Sequence, residues 1–156
     1  MGEATAAMAA ADPRRLLAVE VHPAGIMALL RRLEAAGLDN VRIVEGDAVE
    51  VLAAIDERSL DEVRVFFPDP WPKTRHVKRR LLQPGFLALV AGRLRPGGFL
   101  HLATDVPAYL EHAQAVLAGW DVRIIERPEH RPLTGYEKRA LAAGREPVDV
   151  IASPQA

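Results

Sequence analysis

The chain contains no cysteine, which excludes disulfide bridges, a thiolate nucleophile and any cysteine-ligated zinc site. It has no apolar run long enough to cross a bilayer. The opening MGEATAAMAAADP has neither a basic start nor an apolar block, so no secretory signal is expected and a cytoplasmic location fits. A net charge is almost absent too, at −1. Any polyanionic partner must therefore be met by a local patch and not by the whole surface. Lysine is also scarce, at three of the twenty basic residues, and two of the three, Lys73 and Lys78, stand in one short stretch. What is plentiful is apolar side chain, 49% of 156 residues, enough for one globular domain with a real core.

The apolar pattern alternates between two kinds of segment. LLAVE (Leu16 to Glu20), VRIVE (Val41 to Glu45), EVRVFF (Glu62 to Phe67), FLHLAT (Phe99 to Thr104), DVRIIE (Asp121 to Glu126) and PVDVIA (Pro147 to Ala152) are short and rich in branched residues, as strands are. Between them lie helical patterns. Ile26, Leu29, Leu30 and Leu33 share one face and Gly37 ends that helix; Val49, Leu52 and Ile55 mark a second; a third runs from about Leu82 to Leu94 and stops at the turn Arg95-Pro96-Gly97-Gly98; a fourth begins after Asp105, with Pro107 in its first turn, and turns Tyr109, Ala113, Val116 and Leu117 inward. Strand and helix in alternation predict a single domain over 1–156, an α/β fold with an open, mainly parallel, doubly wound sheet.

In such sheets ligands bind beyond the carboxyl ends of the strands. Four acids stand there: Glu20, Asp47, Asp69 and Asp105. A carboxylate in Glu20's position suits the two hydroxyls of a ribose, and Asp47 after Gly46 suits an adenine amino group. Asp47 and Asp105 equally suit helix N-caps.

The third strand runs into FPDPWPKTRHVKRR (Phe67 to Arg80), with six basic residues, counting His76, in the eight positions from Lys73. Prolines 68, 70 and 72 push Phe67, Asp69 and Trp71 towards extended geometry, which predicts a stiff loop presenting a buried or half-buried Asp69. That carboxylate suits two donors of a guanine edge or an amino group, and Lys73 suits a carbonyl such as guanine O6. Arg75, His76, Lys78, Arg79 and Arg80 suit a phosphate backbone better than a base edge; Trp71 suits packing or base stacking.

FPDPWPKTRHVKRRL resembles the signature of the bacterial tRNA (guanine-N7)-methyltransferases, and RPLTGYEKRALAAGREPVDV (Arg131 to Val150) resembles that family's C-terminal T-x-x-E segment and last strand. VEVHPAGI, NVRIVEGDA and LRPGGFLHLATD extend the likeness to essentially the whole chain. The resemblance implies a Rossmann-like fold, S-adenosylmethionine as cofactor, tRNA as partner, and neither metal nor membrane, with monomer and homodimer both admissible. It assigns Glu20, Asp47 and Asp69 to the cofactor, with Asp69 also catalytic. It assigns Lys73, Asp105, Thr134, Gly135, Tyr136 and Glu137 to the substrate, and Arg75, His76, Val77, Lys78, Arg79 and Arg80 to tRNA.

The family opens with a strand and a glycine-rich loop of the type E-I-G-F-G-x-G. Here Gly2 aligns with that loop's last glycine, so the expectation is a chain incomplete at its N-terminus, lacking the first central strand and most of the loop. Strands Leu16–Glu20 and Glu62–Phe67 should then each have an unpaired edge, and cofactor affinity should be low. Four other readings compete, of which a nicotinamide dehydrogenase fits poorly for want of a G-x-G-x-x-G loop or a hydride-handling constellation. D-P-W-P also resembles the D-P-P-Y loop of amino-group methyltransferases, against which the basic run and the T-x-x-E segment argue. The missing loop admits a non-catalytic tRNA-binding fragment. A metal hydrolase on Asp69, Asp105 and His76 has no ligand spacing to support it.

Overall fold

The computed structural model describes residues 2–155. The chain forms two compact units, one of Met1–Ala54 with Pro128–Tyr136 and one of Ile55–Arg127 with Glu137–Ala156. Among the described residues no helix is long and apolar enough to cross a membrane.

The first unit comprises α1 (Glu3–Ala11), β1 (Leu16–Glu20), α2 (Pro23–Ala36), β2 (Val41–Glu45) and α3 (Ala48–Ala54). β1 and β2 are parallel and in register from Leu16↔Val41 to Glu20↔Glu45, the pairing a helical crossover requires. Pro23 starts that crossover, α2, and Gly37 ends it at φ 63°, a left-handed turn open to glycine. Leu29 and Leu33 of α2 meet Ala9 of α1 and Val41 of β2 in a core extended by Ala6, Leu16, Ala18, Leu38 and Ile43. The Asn40 amide ties the end of α1 to the start of β2 by donating to the carbonyls of Ala9 (3.0 Å) and Asp12 (2.9 Å). The buried stripe is narrower than the periodicity predicts. Leu30 is 45% exposed, because it lies about 100° around the helix from Leu29 and the core takes only the Leu29–Leu33 row.

The second unit contains β3 (Leu60–Phe66), a 3-10 helix (Thr74–Arg79), α4 (Pro84–Arg93), β4 (Leu94–Thr104), α5 (Pro107–Val116), β5 (Trp120–Ile125), most of α6 (Gly135–Ala142) and β6 (Val148–Pro154). Its sheet has the order β3-β4-β6-β5. β3 and β4 are parallel, and β6 is antiparallel to both β4 and β5. All strands but β6 thus run one way within their sheets, as the α/β pattern predicts. Among the described residues the six strands nevertheless divide into sheets of two and four, in which β1 pairs only with β2 and β3 only with β4.

The expected turn at Arg95–Gly98 is instead a bulge inside the ladder, since Leu60 pairs with Leu94 while Glu62 already pairs with Phe99. Two glycines permit it. Gly97 takes φ 82°, and a Cβ on Gly98 would stand 2.9 Å from the Asp61 carbonyl, so the backbone approaches β3 more closely than any side chain allows.

Candidate active site at the carboxyl ends of the strands

In the first unit, Glu20 closes β1 and folds back over the start of α2. Its Oε1 accepts from the backbone N–H groups of Val21 and His22, both at 2.9 Å. A Cβ on Gly25 would lie 2.9 Å from Oε2, so the carboxylate rests where only glycine leaves room. Oε2 accepts no hydrogen bond among the described residues. Asp47 stands at the neighbouring strand end, where Gly46 N donates to the Glu20 carbonyl at 3.2 Å. Its Oδ1 accepts from Val49 N at 2.7 Å, the N-cap geometry of one reading, and its Oδ2 likewise takes no partner from the described residues. Each acid therefore has one oxygen fixed by backbone and one open. Such oxygens suit a pair of hydroxyls or an amino group.

In the second unit, the chain leaves β3 through Phe67, whose N–H donates to Ala103 O on β4 at 2.8 Å. Phe67 and Trp71 take φ 51° and 41°, not the extended geometry predicted from the prolines that follow them. Each proline fixes its own φ near −65°, so the reversals fall on the residues between, and the two aromatics adopt them at about 1–3 kcal/mol of strain apiece. Asp69, expected buried or half-buried, is exposed and accepts no hydrogen bond among the described residues. Lys73 is exposed as well.

The 3-10 helix presents Arg75, Lys78 and Arg79 to solvent and half-buries His76 and Val77. The His76 ring meets Trp71 edge-on at 5.7 Å, and the Arg79 guanidinium stands 5.0 Å over the same indole. Trp71 thus packs within its own loop, and the Val77 carbonyl accepts from the Gln83 amide at 2.9 Å.

Arg80 differs from the rest of the run. It is buried at 6% exposure, donates from Nε to Pro70 O (2.9 Å) and from Nη1 to Ala108 O (3.0 Å), and lies 5.5 Å over the Tyr109 ring. Expected on tRNA phosphate, it instead clamps the proline loop to the start of α5, because its guanidinium is engaged by backbone carbonyls. Tyr109 beneath it is fully buried and its hydroxyl accepts from Leu82 N at 3.4 Å. Burial pushes the phenol's pKa up; the Leu82 bond and the Arg80 charge oppose this, and the Asp69 charge adds to it.

Asp105, at the end of β4, is not an N-cap. Val106 N donates to Thr104 Oγ1 at 3.2 Å, while the buried Asp105 carboxylate receives Arg145 Nε on Oδ2 at 2.7 Å. Oδ1 has no partner among the described residues. Glu137 is buried in the first turn of α6. Thr134, Gly135 and Tyr136 belong to the first unit, where Gly135 N donates to Glu3 Oε2 at 3.2 Å. The second unit accordingly gathers Asp69, Lys73, the basic helix, Asp105 and Glu137, and the first gathers Glu20 and Asp47. Sequence reasoning missed Arg145. The available signal was Gly144, a helix-ending glycine at φ 72° that returns the next residue towards the sheet. Among the described residues no cluster of three or more His, Cys, Asp or Glu could hold a metal.

Comparison with known proteins bears on these groups. A family described as "Putative methyltransferase" matches residues 1–150. The chain is 48% identical to a tRNA (guanine-N(7)-)-methyltransferase of Nitrosospira multiformis, with 97% of this chain and 69% of that protein covered. It is 60% identical to one of Nocardia farcinica, with 88% and 58% covered. The chain thus spans between 58% and 69% of the length of these two relatives. Among solved structures it resembles a precorrin-6y C5,15-methyltransferase from Geobacter metallireducens, at TM-score 0.60 and 19% identity over 90% of this chain and 68% of that one. At that identity the likeness establishes the fold.

Proposed function

The chain belongs to the tRNA (guanine-N(7)-)-methyltransferase family, and from that premise we propose that it transfers a methyl group from S-adenosylmethionine to N7 of a variable-loop guanine in tRNA, as one cytoplasmic methyltransferase domain. The observation that carries the reading is a juxtaposition within one unit. An exposed carboxylate, Asp69, stands on a proline-braced loop immediately ahead of a 3-10 helix that holds Arg75, Lys78 and Arg79 in solvent. One feature suits a base and the other a phosphate backbone.

The chemistry asks little of a proton carrier. Guanine N7 has a lone pair and no proton, so no general base is required, and the protein's contribution is alignment. When bound, S-adenosylmethionine supplies an electrophilic methyl group on its sulfonium. Glu20 and Asp47 fit the nucleoside part of that cofactor, since each offers an open carboxylate oxygen while the other is fixed by backbone N–H. Guanine's N1–H and N2–H donors lie on the edge away from N7. Acceptors such as Asp69, Asp105 and Glu137 can therefore grip the base and leave N7 exposed, and Lys73 can donate to O6. Arg75, Lys78 and Arg79 hold the backbone while the base is drawn out of the tRNA fold.

Labelled S-adenosylmethionine with a tRNA transcript tests the proposal, followed by borohydride and aniline treatment, which cleaves at N7-methylguanosine. One labelled cleavage site in the variable loop is expected. Label on an exocyclic amino group points to the other methyltransferase class, and tRNA binding without label to a non-catalytic binder; either overturns the reading.

The cofactor fit has its own test. Gly25→Ala places a Cβ 2.9 Å from Glu20 Oε2, so the Glu20 side chain must shift from the position in which Oε1 meets the Val21 and His22 N–H groups. Calorimetric titration with S-adenosylhomocysteine should show affinity lower by about tenfold, the worth of one charge-assisted hydrogen bond. Unchanged affinity removes Glu20 from the cofactor site.

A further inference from the structure

We propose that Arg145 is a positioning residue for guanine recognition: it holds Asp105 with one oxygen presented for the base and ties the segment carrying Glu137 to the end of β4. The proposal rests on the methyltransferase reading given above and adds to it a residue that the T-x-x-E likeness does not single out.

Asp105 is 5% exposed, and a carboxylate so buried is costly unless a charge and a hydrogen bond compensate it. Arg145 Nε provides both at 2.7 Å. The contact is one-pronged and uses Oδ2 alone, and Oδ1 accepts nothing among the described residues. Two-pronged pairing is the common arginine–carboxylate geometry and would have occupied both oxygens. The pair as built leaves one acceptor fixed in direction and open, which suits a donor of the guanine edge.

α6 ends at Ala142; Gly144 N donates to Leu141 O at 2.9 Å and Arg145 N to Ala140 O at 3.0 Å. Gly144 at φ 72° makes that wrap possible. Arg145 is thus anchored by its own backbone to the helix bearing Glu137, and its side chain reaches the strand end bearing Asp105. Its side chain is 48% exposed, so the pair borders solvent, where a substrate can arrive. The ion pair thus links the end of the helix that bears Glu137 to the strand end that bears Asp105.

Four variants decide the matter: Arg145→Ala, Arg145→Lys, Asp105→Asn and the double variant Asp105→Asn/Arg145→Ala. Methyl transfer to tRNA is followed at saturating cofactor. Arg145→Ala should lower kcat/KM by about a hundredfold, the scale of a base misplaced by about 1 Å, with cofactor affinity unchanged. Arg145→Lys should recover part of the loss. The double variant should be no worse than Asp105→Asn, because Arg145 acts through Asp105. Amide exchange over residues 140–145 should be faster in Arg145→Ala and Asp105→Asn alike. Normal kcat/KM in Arg145→Ala, a rise in it, or losses that multiply in the double variant would overturn the role. A wild-type chain that does not methylate tRNA counts against the methyltransferase reading instead. In that case exchange alone judges the tie, and unchanged protection in both single variants refutes it.

Discussion

Asp69→Ala should lower the methyl-transfer rate by about 10²–10³-fold, the range found when one preorganised polar group of an active site is removed, and leave tRNA affinity within about twofold. The separation follows from where Asp69 sits. It is exposed and accepts no hydrogen bond among the described residues, so its removal breaks no internal hydrogen bond, and stability should change by no more than about 0.5 kcal/mol. The loop keeps its course without it, because the Arg80 clamp at Pro70 and the Phe67–Ala103 bond hold both sides. What is lost is one acceptor for the base. Asp69→Asn keeps a carbonyl oxygen but loses the charge, and should fall between the two. Single-turnover rates, filter binding and thermal melting on the three proteins check this together. Turnover near wild type in the alanine variant would remove Asp69 from the active site.

How far the sequence foretells these arrangements depends on whether the cause is local. β1 and β2 begin and end at the residues the branched apolar runs mark, because a run bounded by polar turn residues carries its own limits. The proline and glycine that bracket α2 are local signals too. The Arg95–Gly98 bulge is different: what turns it from a loop into part of the ladder is the approach of Gly98 to Asp61, a residue on another strand. Leu30 is likewise settled by how much core there is to enter.

The site divides in the same way. Glu20, Asp47, Asp69 and Asp105 are legible as strand-end acids from the alternation of elements alone. Their partners are not, since those depend on folding. A pentad of like charges looks uniform in sequence, yet Arg80 is buried against α5 while Arg75, Lys78 and Arg79 stay in solvent. Arg145 lies forty residues beyond Asp105, and only the wrap of α6 brings it back.

That division within the basic run gives the sharpest contrast in outcome. Neutralising Arg75, Lys78 and Arg79 together should weaken tRNA binding and flatten the plot of log affinity against log salt by about two units, because each phosphate contact releases roughly 0.7–0.9 of a counterion. Melting should be nearly unaffected, as exposed charges contribute little to stability. Arg80→Ala should do the reverse. It strips donors from Pro70 O and Ala108 O, which at about 1–3 kcal/mol for each acceptor left unsatisfied lowers the melting temperature visibly. The salt slope should stay as it was, since an arginine only 6% exposed holds few counterions to exchange. The rate should still fall, because the loop bearing Asp69 and Lys73 loses its hold on α5. Salt titrations and melting curves on the two variants separate the roles: a reduced salt slope with unaltered melting in Arg80→Ala would return Arg80 to the phosphate contacts and dismiss the clamp.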